Sequence, residues 1–390
     1  MIERDLKEKL LALSKSFSVV IMTGPRQSGK TTLCKMAFPE YNYVNLEKIA
    51  LRRSIESNPM DFLLQHDEGL IIDEAQLLPE LFSYVQVVVD EHPENRYILT
   101  GSSNFSLMEK ITQSLAGRAA VLSLLPLSLS ELHGAEGVST DELLLRGGYP
   151  AVWSKEVEPS EVYGNYYTTY VERDLRQLVN IKNLSMFQQF ITLVAGRIGT
   201  EFNASSLAAE IGISSVTVQH WMSVLEASYI VFMLPPYFRN IGKRIVKSKK
   251  IYFYDTGLAC FLLGIKNKEQ LAPYPLRGQL FECLVVSEFM KRSYNSGNRP
   301  HLFFYRDREQ KEVDVVEEET FRQLRAYEIK SARMYNGSFG AGLSYFKKIY
   351  GDEVTQTMVL YDGEDELVKQ FGGFKNIRRF FGEKTNQPTA

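Results

Sequence analysis

Lys30 and Thr31 stand at the end of Gly24-Pro25-Arg26-Gln27-Ser28-Gly29-Lys30-Thr31-Thr32, which fills the pattern G-x-x-x-x-G-K-T at every position. Glycines at this spacing let successive backbone N–H groups curl around one anion, and a following helix adds the positive end of its dipole. The apolar run Phe17–Met22 before the loop predicts a buried strand, and Leu33–Phe38 after it predicts a helix. Strand, loop and helix together are the context in which this pattern cradles phosphates. The chemistry is that of a nucleoside triphosphate with Mg²⁺. Lys30 reaches the β- and γ-phosphates, the Thr31 hydroxyl ligates the metal, and the loop from Gly24 to Thr32 surrounds the phosphates. A loop that merely turned the chain would need neither the lysine nor the threonine.

Asp73 and Glu74 end the short apolar strand that begins at Gly69. Acidic residues there often only form turns. Downstream of a complete phosphate loop, Asp73 is read as support for Mg²⁺ and Glu74 as the base that polarises water. Thr100 or Ser103, at the end of the strand from Arg96, is the candidate sensor of the nucleotide's state. Arg118, just before the strand Ala119–Leu124, is a candidate to neutralise γ-phosphate charge, within the chain or from a neighbour.

The rest of the chain must position these groups. It has 390 residues, 44% hydrophobic and 24% charged, with net charge −2. That length predicts two to four domains, and the near-neutral balance gives no global field to attract nucleic acid. The three cysteines match no zinc or redox spacing, which predicts a reduced, cytoplasmic setting. The first ten residues read as a charged amphipathic helix, and no stretch has the apolar length of a membrane span.

After Pro126, Leu127–Leu132 and Glu142–Arg146 read as short helices, and Val162–Ile181 as one tyrosine-rich helix. Ser205–Ile211, a Gly212 turn and Ser215–Ala227, followed by the strand Tyr229–Leu234, are similar to a winged helix-turn-helix. Val218, Trp221, Met222 and Leu225 share the core face at helical spacing. Gln219 and His220 are left exposed, without an adjoining lysine or arginine. Arg239, Lys243, Arg244, Lys247, Lys249 and Lys250 follow with no acid among them, a local patch suited to DNA phosphates.

Near the C-terminus, Glu282 lies on a helix from Gly278, Asp314 on a strand, and Glu328-x-Lys330 on a further strand. This order resembles the restriction-endonuclease-like fold. The resemblance implies a possible second metal site of Glu282, Asp314, Glu328 and Lys330, in which carboxylates hold the cation and the lysine orients water. Val313 stands where that family often has proline. A plain ion pair on a sheet explains the same residues.

The phosphate loop, Ile72-Asp73-Glu74-Ala75-Gln76, Thr100-Gly101-Ser102-Ser103 and Leu115-Ala116-Gly117-Arg118 together resemble the AAA-type ATPases of bacteria and archaea that carry a C-terminal domain of unknown function. That group is related to the signalling ATPases. Arg146-Gly147-Gly148-Tyr149-Pro150, Asp255-Thr256-Gly257-Leu258 and Gly278-Gln279-Leu280-Phe281-Glu282 extend the resemblance along nearly the whole chain. The expected architecture is α/β. It comprises a parallel-sheet ATPase domain at 1–125, a helical lid at 126–185, a winged helix at 186–262, a nuclease-like domain at 263–384 and a disordered tail at 385–390. The expected function is Mg²⁺-dependent ATP hydrolysis coupled to action on DNA. The alternatives are a nucleotide-dependent switch for a protein partner, and an ATPase with metal-dependent nuclease activity. These residues set no oligomeric state.

Overall fold

The computed structural model describes residues 2–66, 68–101, 115–155, 157–175, 183–239, 242, 248–369 and 372–382, with backbone alone at 172–175. Ser103, Lys243, Arg244, Lys247 and the tail 385–390 lie outside the described residues.

The first part of the chain runs α1 (Leu6–Ser16), β1 (Val19–Thr23), α2 (Lys30–Ala37), β2 (Asn42–Asn45), α3 (Ile49–Ser57), α4 (Pro59–Leu64), β3 (Leu70–Asp73), α5 (Leu81–Glu91), β4 (Tyr97–Thr100) and β5 (Ala119–Ser123). The strands form one five-stranded sheet in the order β2-β3-β4-β1-β5, with every pairing parallel. Parallel neighbours need crossover helices that cover both faces, so the central strands are continuous apolar runs rather than alternating ones. β1, β3 and β4 are buried along their whole length. β4 lies between β1 and β3, and the register Met22↔Thr100 and Ile72↔Leu99 brings Thr23, Asp73 and Thr100 to one carboxyl edge.

The middle part contains α6 (Thr140–Arg146), α7 (Pro150–Ser154), α8 (Pro159–Tyr166), a π-helical run Tyr167–Leu175, α9 (Leu184–Ala195), α10 (Ala204–Ile211), α11 (Ser215–Ala227), the antiparallel pair β6 (Val231–Leu234) and β7 (Lys250–Phe253), α12 (Thr256–Leu262) and α13 (Lys268–Leu271). The tyrosine-rich stretch is therefore not one α-helix, because its hydrogen-bond spacing widens after Tyr166. Leu127–Leu132 is not a helix either. The N–H groups of Ser128 and Leu129 are taken by the carboxylates of Glu131 and Glu288.

The last part begins with α14 (Arg277–Asn295) and continues through β8 (Leu302–Arg306), β9 (Glu312–Thr320), β10 (Gln323–Lys330), α15 (Ala341–Tyr350), β11 (Val354–Tyr361), β12 (Leu367–Lys369), β13 (Gly372–Asn376) and α16 (Ile377–Gly382). Its sheet has the order β12-β13-β11-β10-β9-β8 and is mixed, with β10, β11 and β13 parallel. One hydrophobic core runs from Leu125 through α9–α12 and α14 to Phe381, so middle and last parts share an interior. Among the described residues, no helix is long and apolar enough to cross a membrane.

Candidate functional site

The phosphate loop leaves β1 at its carboxyl end and enters α2 at Lys30. Its shape depends on the two glycines. Gly24 has φ +135°, and a Cβ there would sit 2.2 Å from the Leu124 carbonyl oxygen, while Gly29 has φ +96°. Side chains other than glycine's rarely adopt such conformations. Ser28 is fully buried, and its Oγ has no hydrogen-bond partner among the described residues. An unpaired buried hydroxyl is costly, and in this loop it faces the requirement a phosphate oxygen would meet.

Lys30 is buried and folded back, donating from Nζ to the carbonyls of Gly24 at 3.0 Å and Pro25 at 2.8 Å. Burial pulls its pKa from 10.5 down to about 8, against the opposing pull of Glu74 and Asp73. The sign of the resulting pH dependence follows. A phosphate beside Lys30 favours the ammonium, so above pH 8 binding must take up a proton. ATP affinity is expected to fall by up to about tenfold per pH unit above 8, measured by nucleotide titration and by calorimetric proton uptake. The free protein is expected to show the opposite trend. Its folded pKa lies below the unfolded value, so this group adds stability as pH rises from about 8 to 10.5.

Asp73 collects the edge. It accepts from Thr31 Oγ1 at 2.8 Å, from the Tyr43 hydroxyl at 2.8 Å, from the Glu74 N–H at 3.2 Å and from Thr100 Oγ1. The threonine hydroxyl and the carboxylate read as metal ligands are thus in contact, and oxygen donors of this kind suit Mg²⁺. Glu74 holds φ +55°, a left-handed conformation unusual for its type, and accepts from Gln76. Backbone of this kind is found at sites whose function needs it. Of the two sensor candidates, Thr100 touches Asp73. Sequence reasoning missed Tyr43, whose only signal was an aromatic hydroxyl on the strand pairing with β3. Arg26 pairs with Glu47 at 3.5 Å in the open. Thr23, the residue before the loop, shares a hydroxyl cluster with Ser123 at 3.0 Å and Tyr229 at 3.2 Å.

Arg118 requires a correction. It precedes β5, and β5 runs parallel to β1 with Val19 opposite Ala119. It therefore sits at the amino edge of the sheet, about 16 Å of strand from the phosphate loop at roughly 3.3 Å per residue. It is committed there to Asp90, with Nη2–Oδ2 at 2.8 Å. A role at this chain's own γ-phosphate is excluded by that distance.

The C-terminal residues do come together, but not as a ring of free oxygens. Lys330 Nζ lies 2.7 Å from Glu328 and 3.9 Å from Asp314. Asp314 also accepts the Ile329 N–H at 2.7 Å. Glu282 accepts from Lys250 at 3.2 Å and from the Tyr252 hydroxyl, and Lys250 also meets Glu312. Burial, then Glu328 and Glu282, push Asp314 well above the usual carboxylate range, and burial raises Glu328. Among the described residues, no group of three His, Cys, Asp or Glu side chains is arranged to hold a metal. Lys250 and Lys330 pair with the carboxylates that the sequence assigned to a second metal, while one buried Glu328 oxygen has no hydrogen-bond partner among the described residues.

Lys250 is thereby corrected as a DNA contact, because it is 2% exposed. Arg239 pairs with Glu353 at 3.2 Å and lies over the Tyr350 ring. Gln219, His220 and Lys249 are exposed. A cleft of about 910 Å³, lined by residues of 133–140 and 362–382, lies at neither site.

Strand, phosphate loop, helix and an acidic strand end joined to the loop's threonine define a P-loop nucleotide site. Residues 16–133 match the model of an AAA domain, while 137–269 and 277–377 match two domains of unknown function, DUF8612 and DUF4143. The uncharacterized protein Rv2008c of Mycobacterium tuberculosis is 33% identical over 340 residues, covering 84% of this chain and 73% of that one. The uncharacterized protein MJ1544 of Methanocaldococcus jannaschii is 24% identical, covering 81% and 75%. Among solved structures, the Walker-type ATPase paby2304 of Pyrococcus abyssi is similar with a TM-score of 0.43 at 16% identity, covering 67% of this chain and 96% of that one. The chain belongs to the family of P-loop ATPases in which an AAA domain is followed by C-terminal domains of unknown function.

Proposed function

We propose that the protein is a Mg²⁺-dependent ATPase whose nucleotide state is coupled to an action on DNA. The observation that carries the ATPase reading is the contact of Thr31 Oγ1 with Asp73 at 2.8 Å, beside a buried lysine that donates to the Gly24 and Pro25 carbonyls. Both oxygens, and the unpaired Ser28 hydroxyl, fit a phosphate-bound Mg²⁺. When bound, that ion neutralises charge on the transferring phosphoryl group. Lys30 leaves the Gly24 and Pro25 carbonyls to bind phosphate. Asp73 and Thr31 orient the metal's ligand shell. Glu74 accepts a proton from the attacking water, with Gln76 fixing its carboxylate. Thr100, on the same Asp73, reports the state of the edge.

Support for DNA comes from the helix pair α10 and α11 followed by the β6–β7 hairpin, a winged-helix order, with Gln219, His220 and Lys249 facing solvent. The experiment is ATP turnover by wild type and Lys30→Ala with no DNA, linear DNA and branched DNA. Turnover that depends on Lys30 and rises with one DNA form is expected. Turnover that ignores every DNA sinks the coupling to DNA.

One observation favours a second reading, a nucleotide switch for a protein partner. Lys250 is buried, which removes one cation from the surface offered to phosphates, and the exposed Arg239 is paired with Glu353. In that case turnover is slow and indifferent to DNA. The restriction-endonuclease-like reading of the last part rests on the order of Glu282, Asp314, Glu328 and Lys330, and their ion pairing weighs against cleavage.

A further inference from the structure

Arg4 lies just before α1, in a stretch that the sequence presents as an ordinary charged helix, yet it is only 7% exposed. Each part of its guanidinium is used. Nη1 donates to the Ser28 carbonyl at 2.6 Å, Nη2 to the Leu125 carbonyl at 2.6 Å, and Nε to Glu131 at 2.9 Å. Ser28 is within the phosphate loop. A peptide unit is planar and trans, so turning the Ser28 carbonyl toward Arg4 turns the Gly29 N–H away from it. Arg4 therefore fixes the orientation of an amide that a phosphate loop uses to bind its anion. Its Nη1 would also lie 3.5 Å from a Cβ at Gly29, so it packs on the loop's last glycine.

What holds Arg4 is held in turn from the far end of the chain. Glu131 bonds the N–H groups of Asp5 at 3.0 Å and Ser128 at 2.9 Å. Within the same turn, the Leu129 N–H donates to Glu288 at 2.7 Å and the Leu127 carbonyl accepts from Lys291 at 3.0 Å. Glu288 and Lys291 pair at 2.8 Å on α14, and both are nearly fully buried. Glu282 stands on the same helix. A continuous run of buried hydrogen bonds thus joins the phosphate loop to α14.

We infer that Arg4 is a positioning residue of the phosphate site, and that α14 sets its position through Glu288, Lys291 and the 125–131 turn. The inference rests on the nucleotide reading above. Movement of α14 alters nucleotide affinity, and by reciprocity nucleotide binding alters the setting of α14. The ammonium of a lysine cannot span three acceptors in a plane as a guanidinium does, so Arg4→Lys is expected to behave as a loss.

The test measures binding of a fluorescent ATP analogue with Mg²⁺, and turnover, for the full chain and its variants. Wild type and Lys30→Ala come first, and equal binding by these two would overturn the nucleotide reading itself. With that difference established, Arg4→Ala is expected to weaken binding or turnover on the order of tenfold to a hundredfold, as small misplacements do. Added guanidinium ion is expected to restore part of the loss, whereas a purely structural defect would not respond to it. Glu288→Gln with Lys291→Met, far from the nucleotide, is expected to shift affinity severalfold in the same assay. Arg4 variants that bind and turn over as wild type overturn the inference, and a distal pair without effect overturns the role of α14. If Arg4→Ala does not fold, Arg4→Lys and Glu131→Gln carry the same comparison.

Discussion

Lys30→Ala is expected to lower ATP turnover by about a hundredfold to a thousandfold, the loss seen when one preorganised charge-stabilising donor is removed. The effect on the free protein should be small. In the absence of nucleotide the ammonium is buried and satisfied by two loop carbonyls, and its depressed pKa shows that the fold gains little from its charge. Stability and activity therefore separate at this position. Steady-state turnover beside a thermal melt checks both halves, and a variant that keeps a tenth of the wild-type rate would remove Lys30 from its role.

Lys250→Met is expected to do the reverse, costing stability rather than turnover. Lys250 is the shared partner of Glu282 and Glu312, and both acids are largely covered by protein. Breaking a buried pair from one side leaves uncompensated charge and costs about 3–5 kcal/mol; the lower end is expected here because the carboxylates retain some water. The pH dependence has a defined sign. Although burial opposes it, Lys250 and then Arg306 hold Glu312 below its usual pKa, so its contribution in wild type is present near neutrality and is lost as pH falls through that lowered value. In the variant the acids are easier to protonate. The gap between the two proteins should therefore narrow on acidification, and adding Glu282→Gln and Glu312→Gln should restore much of the loss. Urea unfolding followed by tryptophan fluorescence measures it. An unchanged midpoint would show that the pair contributes nothing.

The phosphate site was legible because its parts are contiguous. A glycine loop, a lysine and a threonine between an apolar run and a helix report their own geometry, and the acidic strand end follows the same logic. The residues that sequence reasoning missed or misplaced owe their roles to partners far along the chain. Arg4 reads as one charge among several, and its acceptors at Ser28, Leu125 and Glu131 share no local pattern with it. Lys250 reads as the end of a basic run, whereas β7 turns it inward onto α14 and β9. Arg118 could have been placed. A residue that precedes a strand parallel to β1 must lie at the edge opposite the loop that follows β1. Asp314 on β9 and Glu328 and Lys330 on the adjoining β10 lie beside Glu282 of α14, in the order the sequence has them. Lys330 was legible as a partner for Glu328, whereas Lys250 as the partner of Glu282 was not, because it arrives from a different part of the chain.

The interior shared by the middle and last parts bears on how such a chain can be inherited. Separate family models describe 137–269 and 277–377, yet Leu225, Phe253, Phe281 and Phe289 lie in one hydrophobic cluster. Exchanging the C-terminal segment alone would remove the partners that the middle helices pack against in that cluster. A recombination event that keeps the fold must carry both segments together, whereas the five-stranded sheet has its own core around Val19, Ile72 and Leu99. The change from the sheet's cores to the shared interior falls between Leu124 and Leu125, at the turn that Arg4 and α14 hold between them.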